Sequence, residues 1–132
     1  MEKNKIIKEI ITSIFDAFKR GDTKEIEKYL HEKASVWDVF TPDMIIWKKN
    51  LEVFHNNDQE QKESRGYLSI KLEEPMIREW NDFAIATYCL DFNYEEPNAL
   101  KGKVRITDLF VLNEGNWQII HHHEGLIPNE KS

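Results

Sequence analysis

One cysteine, Cys89, stands in 132 residues. That excludes an intramolecular disulfide and any zinc site built from several thiolates. Basic residues are outnumbered too: 18 lysines and arginines face 24 acids, for a formal net charge of −6. Sequence-independent nucleic-acid binding needs a basic surface to neutralise phosphates, so no nucleic-acid partner is expected. No apolar run approaches the roughly 20 residues of a membrane span, and no membrane partner is expected either. The opening "MEKNKIIKEIITSIF" mixes acids with lysines and carries no small-residue cleavage site, so it does not read as a secretory leader. These absences together predict a cytoplasmic protein. Internal repeats are missing as well.

What is present is a folding composition. Apolar residues make up 40% and aromatics 11%, enough for a packed core and too much for a disordered chain. The length suits one domain, residues 1–132. Ile6, Ile7, Ile10, Ile11, Ile14, Phe15 and Phe18 form one apolar stripe on a helix over 4–20. Gly21 ends it, and Asp22 caps a second helix through "TKEIEKYLHE". "ASVWDVF" (34–40) is β-prone. Thr41-Pro42-Asp43 reads as the start of a third helix through "MIIWKKNLEVFHNN", which dissolves into "DQEQKESRG". From Tyr67 on the pattern is that of strands: "YLSIKLEEPMIREW" with Pro75 as a bend, "FAIATYCLDFNY", then "KVRITDLFVL" and "WQIIHHHE" around the turn "NEGN". Helix, helix, strand, helix and a meander predict an α+β domain, with helices on one face of a curved antiparallel sheet.

Three consecutive histidines, His121, His122 and His123, close the last strand. Side chains alternate along a strand, so the three cannot share a face. Pairing Leu112 with Trp117 puts Phe110 opposite Ile119, Asp108 opposite His121 and Ile106 opposite His123. The other face then carries Val111 with Gln118, Leu109 with Ile120, Thr107 with His122 and Arg105 with Glu124. A slip of one residue would scramble this register. Both faces are part apolar and part polar, which predicts that both are covered. Helices and a lined pocket would cover one, and a second subunit the other.

The order of elements resembles the nuclear-transport-factor-2-like superfamily, and within it the SnoaL-like proteins. "VWDVFTP" (36–42) resembles their strand-to-loop segment. "RIT" (105–107) and "WQIIHHHEGLIP" (117–128) resemble their closing hairpin. The association domain of calcium/calmodulin-dependent protein kinase ends in a similar segment. The resemblance implies a cone-shaped fold of three helices on a strongly curved sheet. Gly125 stands where that group usually has serine, and Trp47 where a glycine often precedes the third helix. "GDTKEIEKYLHEKASVWD" (21–38) also resembles the ketosteroid isomerase segment that ends on the catalytic base, which falls on Asp38. Those enzymes add a tyrosine and a protonated acid as oxyanion donors. Counting from Gly21 and Gly115 places those two positions on Ile14 and Thr107, so neither donor is kept.

Asp38 lies in an apolar run, where an ionised carboxylate is costly to bury, so it needs a partner or a displaced pKa. As a candidate general base it is weighed against an aspartate that merely pairs with Arg105 or caps backbone. On the predicted pocket face, His122 is a candidate for moving a proton, and Arg105 for holding a carboxylate. Thr107 and Glu124 would complete the polar end, and Tyr88, Leu109 and Ile120 the apolar walls. The bland alternative there is an internal Arg105–Glu124 pair. His121 and His123 have the spacing of an H-x-H metal pair, yet no E-x-x-H or C-x-x-C accompanies them and only Asp108 or His55 could add a ligand. An interface of His121 and His123 with Phe110, Trp117 and Ile119 is preferred, and no metal or other cofactor is expected. Cys89 reads as core. The functional expectation is a homodimer that binds a small, partly apolar molecule. It would turn that molecule over by cofactor-free proton transfer, or else serve as a non-catalytic oligomerisation module.

Overall fold

A computed structural model describes residues 2–39, 41–53, 68–95 and 100–128. The predicted tail of the third helix, the stretch "DQEQKESRG", His55, Phe40 and most of the loop after Tyr94 lie outside the described residues. Helix α1 spans Glu2–Arg20 and buries Ile7, Ile10 and Ile11, while Ile6 remains exposed. Its end follows from Gly21, whose φ of 78° is cheap only without a Cβ. The Gly21 N–H donates to the Phe18 carbonyl and the Asp22 N–H to that of Ala17, which satisfies the last carbonyls of the helix. Asp22 then accepts from the Glu25 N–H at 3.1 Å and starts α2 (Thr23–Glu27). That helix is shorter than the sequence predicts. Strand β1 begins at Leu30 and ends at Trp37, because Leu30 and Ala34 are needed in the core.

The predicted helix start at Thr41-Pro42-Asp43 is corrected. Ile45–Ile46 form a short strand, β2, antiparallel to β1, and the helix begins only after Trp47 (α3, 48–53), burying Leu51. Trp47 has φ 77°, a left-handed conformation in which a large side chain is strained. Its N–H donates to the Ala34 carbonyl at 2.9 Å, and its carbonyl accepts from the Asn50 and Leu51 N–H groups. A glycine here would take this conformation without cost.

The remaining strands are β3 (Leu68–Leu72), β4 (Met76–Glu79), β5 (Phe83–Tyr94), β6 (Leu100–Asn113) and β7 (Asn116–Leu126). The sheet order is β2-β1-β7-β6-β5-β3, with β4 also paired to β5 on the half that β3 leaves free. The sheet is mixed, since β1 runs parallel to β7. Helices pack on one face of it, so the α+β class is as expected. Alternation on β5 is unbroken: Ala84, Ala86, Tyr88, Leu90, Phe92 and Tyr94 are buried on the helix side. The β6–β7 loop is two residues, Glu114 and Gly115, both with positive φ, the twist a tight hairpin requires.

Candidate functional site

The register of the β6–β7 hairpin decides which side chains meet. Leu112 faces Trp117 and Phe110 faces Ile119, as the sequence predicts. A β-bulge then intervenes: Leu109 pairs with His121, Asp108 with His122, Thr107 with His123 and Ile106 with Glu124. Ile120 is the extra residue, and beyond it every β7 side chain changes partner by one position. The bulge brings Asp108, His122 and Glu124 onto the helix side, beside Tyr88 of β5. Strand β1 adds Val36, paired with His122, and Asp38 follows two residues on.

These groups form one connected network. The Tyr88 hydroxyl donates to Asp108 Oδ2 at 2.5 Å. His122 Nδ1 bonds the other oxygen of Asp108, and His122 Nε2 bonds Glu124 Oε2 at 2.9 Å. Glu124 Oε1 accepts the Val39 N–H at 3.2 Å, and the Asp38 side chain also hydrogen-bonds to Glu124. Asp108 is 1% exposed and the only buried charged residue among those described. A buried carboxylate survives only with its acceptor sites filled, and here both oxygens are.

Protonation follows from the same geometry. Burial alone would strip His122 of its proton, but Asp108 and then Glu124 outweigh it and hold the imidazole well above its usual range. His122 is therefore an imidazolium donating from both nitrogens. Burial, reinforced by Asp108, raises the Tyr88 phenol well above its ordinary value, so it remains a neutral donor. Burial also acts to raise Glu124, yet His122, Asp38 and the Val39 N–H bring it down to about 2. A hydrogen bond between two carboxyl groups needs one proton.

The network gathers four of the sequence candidates, Asp38, Tyr88, His122 and Glu124. It does not gather Arg105, Thr107 or Leu109, which lie on the opposite face, with Arg105 exposed. The Arg105–Glu124 pairing does not form, because the bulge sets Gly125 opposite Arg105 and Glu124 opposite Ile106. Phe110, Trp117 and Ile119 are core residues, 0%, 8% and 3% exposed, and cannot form an interface. His121 and His123 do lie on the open face. His121 Nδ1 meets Ser35 Oγ at 2.7 Å, and the His123 ring stands edge-on to Trp37 at 5.8 Å. Cys89 is half-buried on that open face rather than in the core. Asp108 is the member that sequence reasoning missed. Its signal was available: it shares parity with Val104, Ile106 and Phe110, the buried apolar residues of β6. Among the described residues no group of histidine, cysteine and acidic side chains is arranged to hold a metal ion. No helix among them is long and apolar enough to cross a membrane.

Residues 7–129 match the family pattern of the SnoaL-like domain. No curated protein matches the chain. Among solved structures, an NTF2-like protein of unknown function from Pseudomonas putida KT2440 superposes with a TM-score of 0.87 at 16% identity, covering 98% of this chain and 90% of that one. A proposed dehydratase of the NTF2-like family from Streptomyces avermitilis gives 0.84 at 13% identity, over 97% and 98%. A proposed ketosteroid isomerase from Shewanella frigidimarina gives 0.74 at 16% identity, over 89% and 92%. At these identities the likeness is one of fold.

Proposed function

The chain belongs to the SnoaL-like domain family, and on that footing we propose that it binds a small, partly apolar molecule on the helix side of its sheet and turns it over by cofactor-free proton transfer. The observation that carries this reading is the Asp38–Glu124 carboxyl pair backed by the His122 imidazolium. Two carboxyls that share a proton hold an acid and a base side by side. The ionised member can take a proton from the ligand while the protonated member returns one elsewhere on it, so the pair ends with the proton count it began with. His122 serves as the fixed charge that keeps Glu124 ionised, since both its nitrogens are already bonded. That departs from the expectation that His122 itself abstracts a proton. An oxyanion hole of the ketosteroid isomerase kind is not part of this reading. A tyrosine and an acid do meet, at Tyr88 and Asp108, but the phenol donates to the carboxylate instead of towards a ligand. Dehydration and keto-steroid isomerisation, the reactions in the names of two structural neighbours, both take a proton from carbon and deliver one elsewhere, to the departing hydroxyl in the first and to another carbon in the second.

The homodimer is part of the same proposal. No described helix packs on the outer face of the sheet, and its exposed or half-buried residues include Trp37, Ile46, Met76, Thr107, Leu109 and His121. Five strands spaced about 4.8 Å and about ten residues long present roughly 800 Å², which is about what each partner contributes to a standard interface. A cytoplasmic location remains an expectation from the sequence. The alternative, a non-catalytic oligomerisation module, would use the same outer face but gives the buried charge network no task. It is therefore the less favoured reading.

A thermal-shift screen with apolar ketones, hydroxy compounds, steroids and small carboxylates tests the proposal. At least one class should raise the melting temperature. Turnover of that class should vanish in Asp38→Asn while its binding persists. If no class stabilises the protein, and Asp38→Asn melts as the parent does, the proposal fails.

A further inference from the structure

Two of the three histidines are not used by the inner network, and their surroundings give them a separate role. His121 and His123 lie on β7, third of six strands in the sheet order, and so near the middle of the open face. Ser35 faces His121 from β1 and Trp37 faces His123, while Leu109 and Thr107 face them from β6. The charged groups on this face are mostly cationic. Lys33 precedes Ser35 on β1, Arg105 follows Thr107 on β6, and Arg78 of β4 lies beyond Ile85 of β5. The acids there are Asp91 of β5, beside Lys103 and Lys71, and Glu73 just past β3, which bridges to Lys103 at 2.7 Å. From the other side of the sheet come the carboxylate of Asp108 and the imidazolium of His122.

We infer that association of two copies through this face is acid-labile, with His121 as the group that switches it. The inference rests on the dimer reading above. A two-fold interface sets the same patch against itself. Protonating His121 in each copy therefore places two new positive charges in one desolvated layer already bordered by Arg105, Arg78 and Lys33. Like charges in such a layer oppose contact strongly. The Ser35 hydroxyl lies 2.7 Å from His121 Nδ1 and can donate to the neutral ring or accept from the protonated one, so this bond survives either state. Burial, His122 and His123 all lower the His121 pKa from 6.5, so the ring is neutral at pH 7. Because the associated state binds fewer protons, association is strong above that range and lost as pH falls through it.

Sedimentation velocity at pH 7.5 and pH 5.5, on the whole chain and on His121→Gln, tests this. Glutamine retains a polar group for Ser35 and cannot take up a proton. The parent dimer should weaken at least tenfold at pH 5.5, and the variant less than threefold. A monomer at both pH values overturns the dimer reading itself. A dimer equally tight at both leaves that reading standing and overturns the switch. Equal weakening in parent and variant, including any caused by unfolding, also overturns it.

Discussion

Replacing Asp108 by asparagine removes one charge and one acceptor from a position that is 1% exposed. Asp108 accepts from the Tyr88 hydroxyl at one oxygen and from His122 Nδ1 at the other. The amide can accept only one of these, and its NH₂ then opposes a donor. A charge-assisted hydrogen bond contributes about 1.5–3 kcal/mol, and a buried donor left unsatisfied costs about 1–3 kcal/mol more. Breaking a buried ion pair from one side costs roughly 3–5 kcal/mol in total. A loss of about 3 kcal/mol is therefore expected, a large part of the roughly 5–15 kcal/mol that holds a domain together. For a chain of this size it lowers Tm by about 10 °C. Urea denaturation of the parent, Asp108→Asn, His122→Gln and the double variant separates this pair from mere burial. If the network acts as a unit, the second substitution adds little to the first. The coupling between them should then reach at least about 1.5 kcal/mol with unchanged m-values. Two single losses below about 1 kcal/mol that simply add would show that the charges are solvated and the network is not a unit.

Other consequences can be checked in the same way. Glu124, depressed from 4.5 to about 2, adds stability that is present above pH 4.5 and lost as pH falls towards 2. His122, raised above 6.5, adds stability that is present below pH 6.5 and lost as pH rises through its folded value. Urea midpoints should therefore peak between pH 4.5 and 6.5, and His122→Gln should flatten the alkaline side. At Trp47, alanine and glycine both remove the indole, but only glycine relieves the positive φ. Trp47→Gly should exceed Trp47→Ala in stability by about 1 kcal/mol, and the reverse order would mean the backbone is unstrained there. Phe110→Ala should cost about 3–5 kcal/mol as a core truncation. Arg105→Ala should change stability by less than about 0.5 kcal/mol and leave ligand shifts intact. A large effect at Arg105 would place that side chain back in the site.

Much of the fold was legible because it depends on local signals. Strand β5 alternates without a break, Gly21 supplies a left-handed cap, and the apolar stripe of α1 has helical spacing. The β2 strand was not legible, because Thr41-Pro42-Asp43 carries a sound helix start that tertiary pairing with β1 overrides. Half of the site was legible for a similar reason. Tyr88 stands on a strand whose parity is regular, and Asp38 lies one residue past the end of β1. The hairpin's hydrogen-bond register was right up to Phe110–Ile119 and then off by one. A bulge leaves almost no composition signal, since a strand with one extra residue reads like any other strand. It still moves every later β7 side chain to the other face and so pairs His122 with Asp108, while Arg105 lies outside because it shares the parity of Leu109 on β6. The run Ile106, Asp108, Phe110 offered a correction. Bulky apolar residues on one parity mark the covered face, and an aspartate among them marks a buried charge.

The three histidines allow the most direct test, because the bulge assigns each a different environment. Two-bond ¹H–¹⁵N correlation spectra of the imidazole rings, recorded from pH 5 to pH 9, report the protonation of each nitrogen. The His122 ring should remain doubly protonated well above pH 6.5, while His121 should be neutral at pH 7. A His122 ring that titrates near pH 6.5 like a free imidazole would contradict the buried network, and with it the proposed site.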